Sequence, residues 1–175
     1  VSEDLPEPLV KPAKPLLPHE ITGPWEVRFP PNRGAPESCT LDKLVSWTEM
    51  PDDGIKYFSG TATYLKSFEV SEAWSKGDLR VELSLGELRN VAEVTVNGKP
   101  LGILWKPPYK VDVTGLLKPG KNELKIDITN LWANRIAGDE KLPREKRVTR
   151  ITQKLPVPGP HPSGLFGPVQ LLLTQ

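Results

Sequence analysis

Cysteine is almost missing from this chain. Cys39 stands alone, so no disulfide can close within the sequence and stability has to come from packing. Histidine is nearly as scarce, with only His19 and His161, and one thiol beside them makes no zinc-type ligand set. No apolar run approaches the ~20 residues needed to cross a bilayer, and Val1 is not followed by a charged-then-hydrophobic export signal. An excess of one charge is lacking too. With 23 basic and 22 acidic residues the formal net charge is +1, which leaves no global field to attract nucleic acid or an anionic membrane. Neither nucleic acid nor membrane insertion is expected, and any export signal would lie outside these residues.

Proline, by contrast, is abundant and unevenly spread, with 20 in 175 residues. Pro6, Pro8, Pro12, Pro15 and Pro18 crowd the start, which reads as an extended linker or strap over residues 1–20 rather than a helix. The domain proper is expected over residues 21–175, a length that one all-β core can occupy.

Within that span the apolar residues alternate with period two, as strands require. Trp25 to Phe29 alternates and stops at Pro30-Pro31, while residues 32–53 read as irregular. Ala62, Tyr64, Phe68 and Val70 share one face of a strand, and Lys66, the exception on that face, is expected near a sheet edge. Leu79, Val81, Leu83 and Leu85 form the clearest strand, followed by Ala92, Val94 and Val96. Asn97-Gly98 suits a two-residue hairpin turn into Leu101 to Trp105. Tyr109, Val111 and Val113, then Leu124, Ile126 and Ile128, read as further core strands around the Lys118-Pro119-Gly120 turn. Gly164 to Leu173, interrupted by Pro168, reads as an edge strand closing a sheet. The sum is an antiparallel β-sandwich with polar and aromatic residues gathered in loops.

Several ordered segments carry a family likeness. Residues 59–64 (Ser-Gly-Thr-Ala-Thr-Tyr), 94–102 (Val-Thr-Val-Asn-Gly-Lys-Pro-Leu-Gly) and 109–114 (Tyr-Lys-Val-Asp-Val-Thr) resemble the sugar-binding jelly-roll domain of family 2 glycoside hydrolases. Residues 44–48, 54–60, 104–109, 130–135 and 164–169 are still more similar to the C-terminal β-sandwich of bacterial α-L-rhamnosidases of glycoside hydrolase family 106. The resemblance implies an all-β, galactose-binding-like jelly roll, a bacterial carbohydrate-degrading parent enzyme, and an extracellular or periplasmic location. It implies an accessory role, because in such enzymes the catalytic carboxylates belong to a separate, larger domain.

The residues themselves agree with a noncatalytic role. Glycoside cleavage needs two carboxyl groups about 5–10 Å apart across one bond. Of the acidic pairs in loops, Asp52-Asp53 before Gly54 suits a tight turn, and Asp139-Glu140 suits a loop anchor or, less readily, a calcium ligand. No cofactor is expected beyond that optional calcium ion. His19 and His161 adjoin prolines with no nucleophile motif around them and read as loop residues. Sugar binding asks for something else: a flat aromatic face for the ring's C–H groups and polar groups for its hydroxyls. Trp105 and Tyr109 flank Pro107-Pro108, Trp132 lies among Asn130, Asn134 and Arg135, and Tyr57 and Lys56 precede the Ser59-Gly60 strand entry. These seven, Trp105, Tyr109, Trp132, Asn134, Arg135, Tyr57 and Lys56, form the candidate ligand site. For each the alternative is packing or structural hydrogen bonding.

Lys141, Arg144, Lys146, Arg147, Arg150 and Lys154 make the stretch from Asp139 basic. It reads as a solvated loop, with a patch for a polyanionic glycan as the sharper alternative. The expected partners are a polysaccharide or oligosaccharide and the catalytic domain of the parent enzyme. The function expected is a carbohydrate-binding module tethering a rhamnosidase-like hydrolase to its polymer, the alternative a scaffold domain packing on the catalytic domain without glycan affinity.

Overall fold

Alternating burial along the chain is the feature that organises the fold. A computed structural model describes residues 18–74, 79–151 and 159–174. In chain order the strands are β1 (His19–Glu20), β2 (Trp25–Arg28), β3 (Ser38–Leu41), β4 (Thr61–Val70), β5 (Arg80–Ser84) and β6 (Glu87–Arg89). There follow β7 (Val91–Val96), β8 (Lys99–Leu104), β9 (Lys110–Asp112), β10 (Gly120–Thr129), β11 (Gly164–Gly167) and β12 (Gln170–Thr174). Helix α1 (Asp53–Lys56) precedes β4, and helix α2 (Ala133–Asp139) follows β10.

A six-stranded sheet runs β3-β2-β4-β10-β7-β8, a four-stranded sheet runs β1-β12-β5-β9, and β11 pairs with β6; all the ladders between these strands are antiparallel. In the larger sheet, register lines up the buried residues in rows. Ala62, Ile128 and Ala92 form one row, and Tyr64, Ile126 and Val94 the next. The smaller sheet supplies Val81, Leu83, Leu171 and Leu173, which join them in one hydrophobic core. Every fully buried Leu, Ile, Val or Phe contributes about 1.5–3 kcal/mol by leaving water, and this double-sheet core takes the place of disulfides. The architecture is the expected all-β, galactose-binding-like sandwich.

The Asn97-Gly98 turn between β7 and β8 is present, with φ of 50° and 78°. Both angles are positive, as the hairpin turn requires, and the Asn97 side chain fixes the turn further by donating to Leu116 O and Asn122 Oδ1.

Several expectations need correction. Lys66 lies on β4, which runs between β2 and β10 and is no edge strand. It is accommodated because the β2–β4 ladder stops at Leu65, leaving its ammonium free to donate to Pro24 O at 2.9 Å and to sit over the Trp25 ring. The C-terminal strand β12 is flanked on both sides, by β1 and β5, and Pro168 falls between β11 and β12, outside either ladder. β9 is a three-residue edge strand in which Val111 is only half-buried. The stretch read as irregular contains β3, paired with β2, and a 3₁₀ turn at Trp47–Glu49. His19 and Glu20 pair with Leu171 and Gln170, so the ladder reaches into the proline-rich lead-in. The remainder of that lead-in, residues 1–17, lies outside the described residues.

Candidate functional site

β8 and β10 each neighbour β7 antiparallel, so they run in the same direction and finish at the same end of the large sheet. Trp105 follows β8 directly, and Leu131 and Trp132 follow β10 after one residue. The two strands are separated by two inter-strand spacings, about 10 Å. Here the side chains turn outward: Trp105 is 67% exposed and Trp132 61%, with Ile103 at 62% and Leu131 at 61%. Trp25 and Trp47 are by comparison 1% exposed. The Lys106 ammonium lies 5.3 Å from the centre of the Trp105 ring, a cation–π contact that leaves most of the indole free. Tyr109 is half-buried and packs against the core.

The polar residues expected beside these rings are occupied elsewhere. Asn134 is buried in α2: its side-chain amide donates to His161 O (2.8 Å) and Ser163 Oγ (2.9 Å) and accepts from His161 N (2.7 Å). Asn130 donates to Phe58 O and to the same Ser163 Oγ, and accepts from Gly60 N at 2.9 Å. Together the two asparagines hold the end of β10 and the start of α2 against the 161–163 segment. They satisfy backbone groups that would otherwise be buried unpaired.

Arg135 is buried as well. Its Nε lies 3.0 Å from Asp139 Oδ1, one helical turn on, and its backbone N–H donates to Ser59 Oγ. Asp139 in turn accepts from Val148 N (3.1 Å), Thr149 N (2.6 Å) and Thr149 Oγ1 (2.6 Å). Burial alone would raise its pKa, yet the Thr149 and Val148 donors and the Arg135 charge outweigh that and hold it below the usual carboxylate value. Asp139 is thus the loop anchor of the two roles considered for it, its oxygens taken up by protein donors. Among the described residues no three His, Cys, Asp or Glu side chains gather as a metal site.

Tyr57 is buried where α1 ends, and its hydroxyl accepts from Lys141 Nζ. Lys141 also lies 4.8 Å from the ring centre, and the half-buried Lys56 lies 5.8 Å from it. Asp52 caps α1, its Oδ1 accepting from Ile55 N at 3.0 Å, which matches the turn role expected of Asp52-Asp53. The seven candidates therefore fall into two groups. Trp105 and Trp132 share one exposed end with half-buried Tyr109 following, whereas Tyr57, Asn134 and Arg135 form an internal polar layer with Lys56 at its margin.

Sequence reasoning named Asp139 as a loop anchor but missed its pairing with Arg135, and it missed the hydrogen-bonding roles of Ser59 and Ser163. Only the i,i+4 spacing of Arg135 and Asp139 signalled any of it, and it required a helix that the residues do not otherwise announce.

An antiparallel, galactose-binding-like β-sandwich with its aromatic loops at one end is the class these features define. Residues 46–159 match the family described as the glycosyl hydrolase 2 galactose-binding domain-like family, and the chain belongs to it. Among solved structures, a rhamnosidase from Novosphingobium sp. PP1Y superposes with a TM-score of 0.81 at 32% identity, over 99% of this chain and 16% of that one. A beta-glucuronidase from an uncultured Clostridium sp. gives a TM-score of 0.68 over 98% of this chain and 31% of its own, at 21% identity, which is a likeness of fold. A Formosa agariphila protein provisionally named a beta-glucuronidase is 48% identical over 123 residues, 70% of this chain and 11% of its own length. The chain thus spans between about a tenth and a third of these proteins, as a domain of a glycosidase does.

Proposed function

We propose that this chain is the noncatalytic β-sandwich of an exported bacterial glycoside hydrolase with a rhamnosidase-like parent, and that its tryptophan end docks on the rest of that enzyme. The observation that carries the reading is the shared end of the large sheet, where Trp105, Trp132, Ile103 and Leu131 are each more than 60% exposed. Large apolar side chains grouped in this way mark a contact surface. Both the rhamnosidase and the solved beta-glucuronidase match nearly the whole chain, and the closer superposition and higher identity of the rhamnosidase support that parent, against the name of the Formosa relative. The occupant follows from length: the matched proteins are several times longer than this chain, so each holds enough further protein to cover the patch.

Aliphatic side chains beside the indoles favour protein docking, because sugar stacking uses the aromatic face and gains nothing from Ile103 or Leu131. So does the inward turn of Asn134 and Arg135, which takes both away from the tryptophan end and leaves the rings there without the hydrogen-bonding neighbours expected beside them.

Tethering of polysaccharide is the second reading, and the Trp105 turn favours it. An indole held beside Pro107-Pro108 with a lysine over one face is a rigid platform on which a pyranose can stack. One experiment separates the two. The chain and its Trp105→Ala/Trp132→Ala variant are run in affinity gels containing rhamnose-rich pectins and other plant and algal polysaccharides. The same pair is then sedimented with the remainder of the enzyme. Docking predicts no retardation by any polysaccharide and a complex that the double variant fails to form. Saturable retardation abolished by the double variant, with no complex, would replace docking by tethering.

A further inference from the structure

Between α1, α2 and the 142–148 segment lies a cavity of about 180 Å³. Its charged lining is Arg135, Lys141 and Lys146 against the lone carboxylate of Asp53. It shares no residue with the tryptophan end, and nothing assigned so far to the domain uses it.

Arg135 is the unusual member. Its side chain is only 6% exposed, yet Nε makes no aligned hydrogen bond despite its closeness to Asp139. Asp139 already accepts three hydrogen bonds from residues 148 and 149. The carboxylate thus balances the guanidinium charge, while none of the described residues accepts a hydrogen bond from Nη1 or Nη2 of this cavity-lining side chain. Two glycines let the guanidinium seat itself in this wall, since a side chain at either would take the space it occupies. A Cβ on Gly34 would come 2.8 Å from Nη1, and one on Gly138 would come 2.6 Å from Nη2. Lys141 is fixed on the same wall by its bond to the Tyr57 hydroxyl, and Lys146 stands exposed at the rim.

We infer that this cavity is a binding site for the carboxylate of a small acidic sugar, held by Nη1 and Nη2 of Arg135 with Lys141 and Lys146 supplying positive charge. A guanidinium presents two parallel N–H groups that match the two oxygens of a planar carboxylate and fit a tetrahedral anion less well. The volume is smaller than the roughly 300–1,000 Å³ of pockets that enclose drug-sized ligands, so it admits one acid-bearing ring and no longer stretch of chain. The inference does not depend on whether the tryptophan end meets protein or glycan.

The test is a titration of the 175-residue chain with sodium D-glucuronate and D-galacturonate, followed through backbone amide NMR shifts. Glucose, acetate and sulfate serve as comparisons, all at matched ionic strength. Saturable shifts at Gly34, Gly54, Gly138 and Lys141 are expected with a uronate, none with glucose, and binding weaker by about tenfold with acetate or sulfate. Arg135→Lys keeps the charge beside Asp139 and removes the fork, and is expected to weaken uronate binding by about tenfold. Because that change touches a buried ion pair, Lys146→Glu at the exposed rim provides a second reading. It should weaken binding several-fold with an unchanged thermal midpoint. Absence of shifts with either uronate, equal shifts with glucose, sulfate or acetate binding as tightly as uronate, or full affinity in a folded Lys146→Glu protein would each overturn the assignment.

Discussion

Trp47 and Trp132 carry the same indole into opposite surroundings, and the contrast separates what holds this domain together from what it offers to others. Trp47 is enclosed by Phe29, Phe58 and Tyr64, with ring centres 5.4–6.4 Å apart, and its Nε1 donates to the Tyr64 hydroxyl at 2.6 Å. That hydroxyl also accepts from Leu165 N at 3.2 Å, which ties β11 to the large sheet through one buried oxygen. Gly164 is required beside it: its φ is +105°, and a Cβ there would meet Trp47 Nε1 at 2.7 Å. Trp132 has no such enclosure. It precedes α2 as a cap residue that makes no side-chain capping bond, and 61% of it faces outward. One tryptophan is a fixed part of the core, and the other is available surface.

The largest expected effect is therefore at Trp47. Trp47→Ala empties the centre of the aromatic cluster and leaves the Tyr64 hydroxyl with one partner fewer. Truncating a buried Trp costs about 3–5 kcal/mol, a large share of the roughly 5–15 kcal/mol that stabilises a domain. Urea denaturation should show the midpoint collapsing, and a midpoint within error of the parent chain would end the claim that this cluster anchors the fold.

A smaller effect is expected at the polar layer, where pH supplies the lever. Asp139 is held below the usual carboxylate range in the folded chain, so the folded state binds its proton less readily than the unfolded state does. Its contribution is then fully present above the ordinary value of 3.8 and is lost as pH falls from there through the lower folded value. Thr149→Val removes one of its donors, at a cost of about 1.5–3 kcal/mol for a hydrogen bond to a charged group. Urea midpoints should separate the two proteins at pH 7 and draw together progressively as pH falls below 3.8. A gap that stays constant with pH would mean that Thr149 stabilises through something other than the Asp139 charge.

How far the sequence revealed this division depended on periodicity. β4, β5, β7 and β10 were legible because each buries one face, so apolar residues recur at every second position. β3 and β6 were not, since each buries a single residue, Leu41 and Leu88, and leaves no repeat to read. α2 escaped for a different reason: its buried residues are Asn134, Arg135, Gly138 and Asp139, so the inward face is polar and carries no hydrophobic signature. The same fact divided the candidate site. Trp132 was correctly placed in a loop next to Asn134 and Arg135, but the helix that begins at Ala133 turns those two inward and leaves the ring outside. Trp105 was easier, because Pro107-Pro108 ends the ladder immediately after it and keeps its indole off the sheet.

The smallest expected change in stability is at the exposed end, and it is the one that sharpens the comparison most. Trp105→Ala and Trp132→Ala remove side chains already more than 60% in water, so little apolar area returns to solvent on unfolding and little packing is lost. Surface substitutions of this sort shift stability by no more than about 0.5 kcal/mol, and the urea midpoint of the double variant should stay close to that of the parent. A fall as large as that of Trp47→Ala would show the rings packed against the domain itself, and the contact surface proposed here would then be part of the core. An unchanged midpoint makes the double variant a clean probe: any partner or polysaccharide it fails to hold is lost through the two rings themselves, with the sandwich intact beneath them.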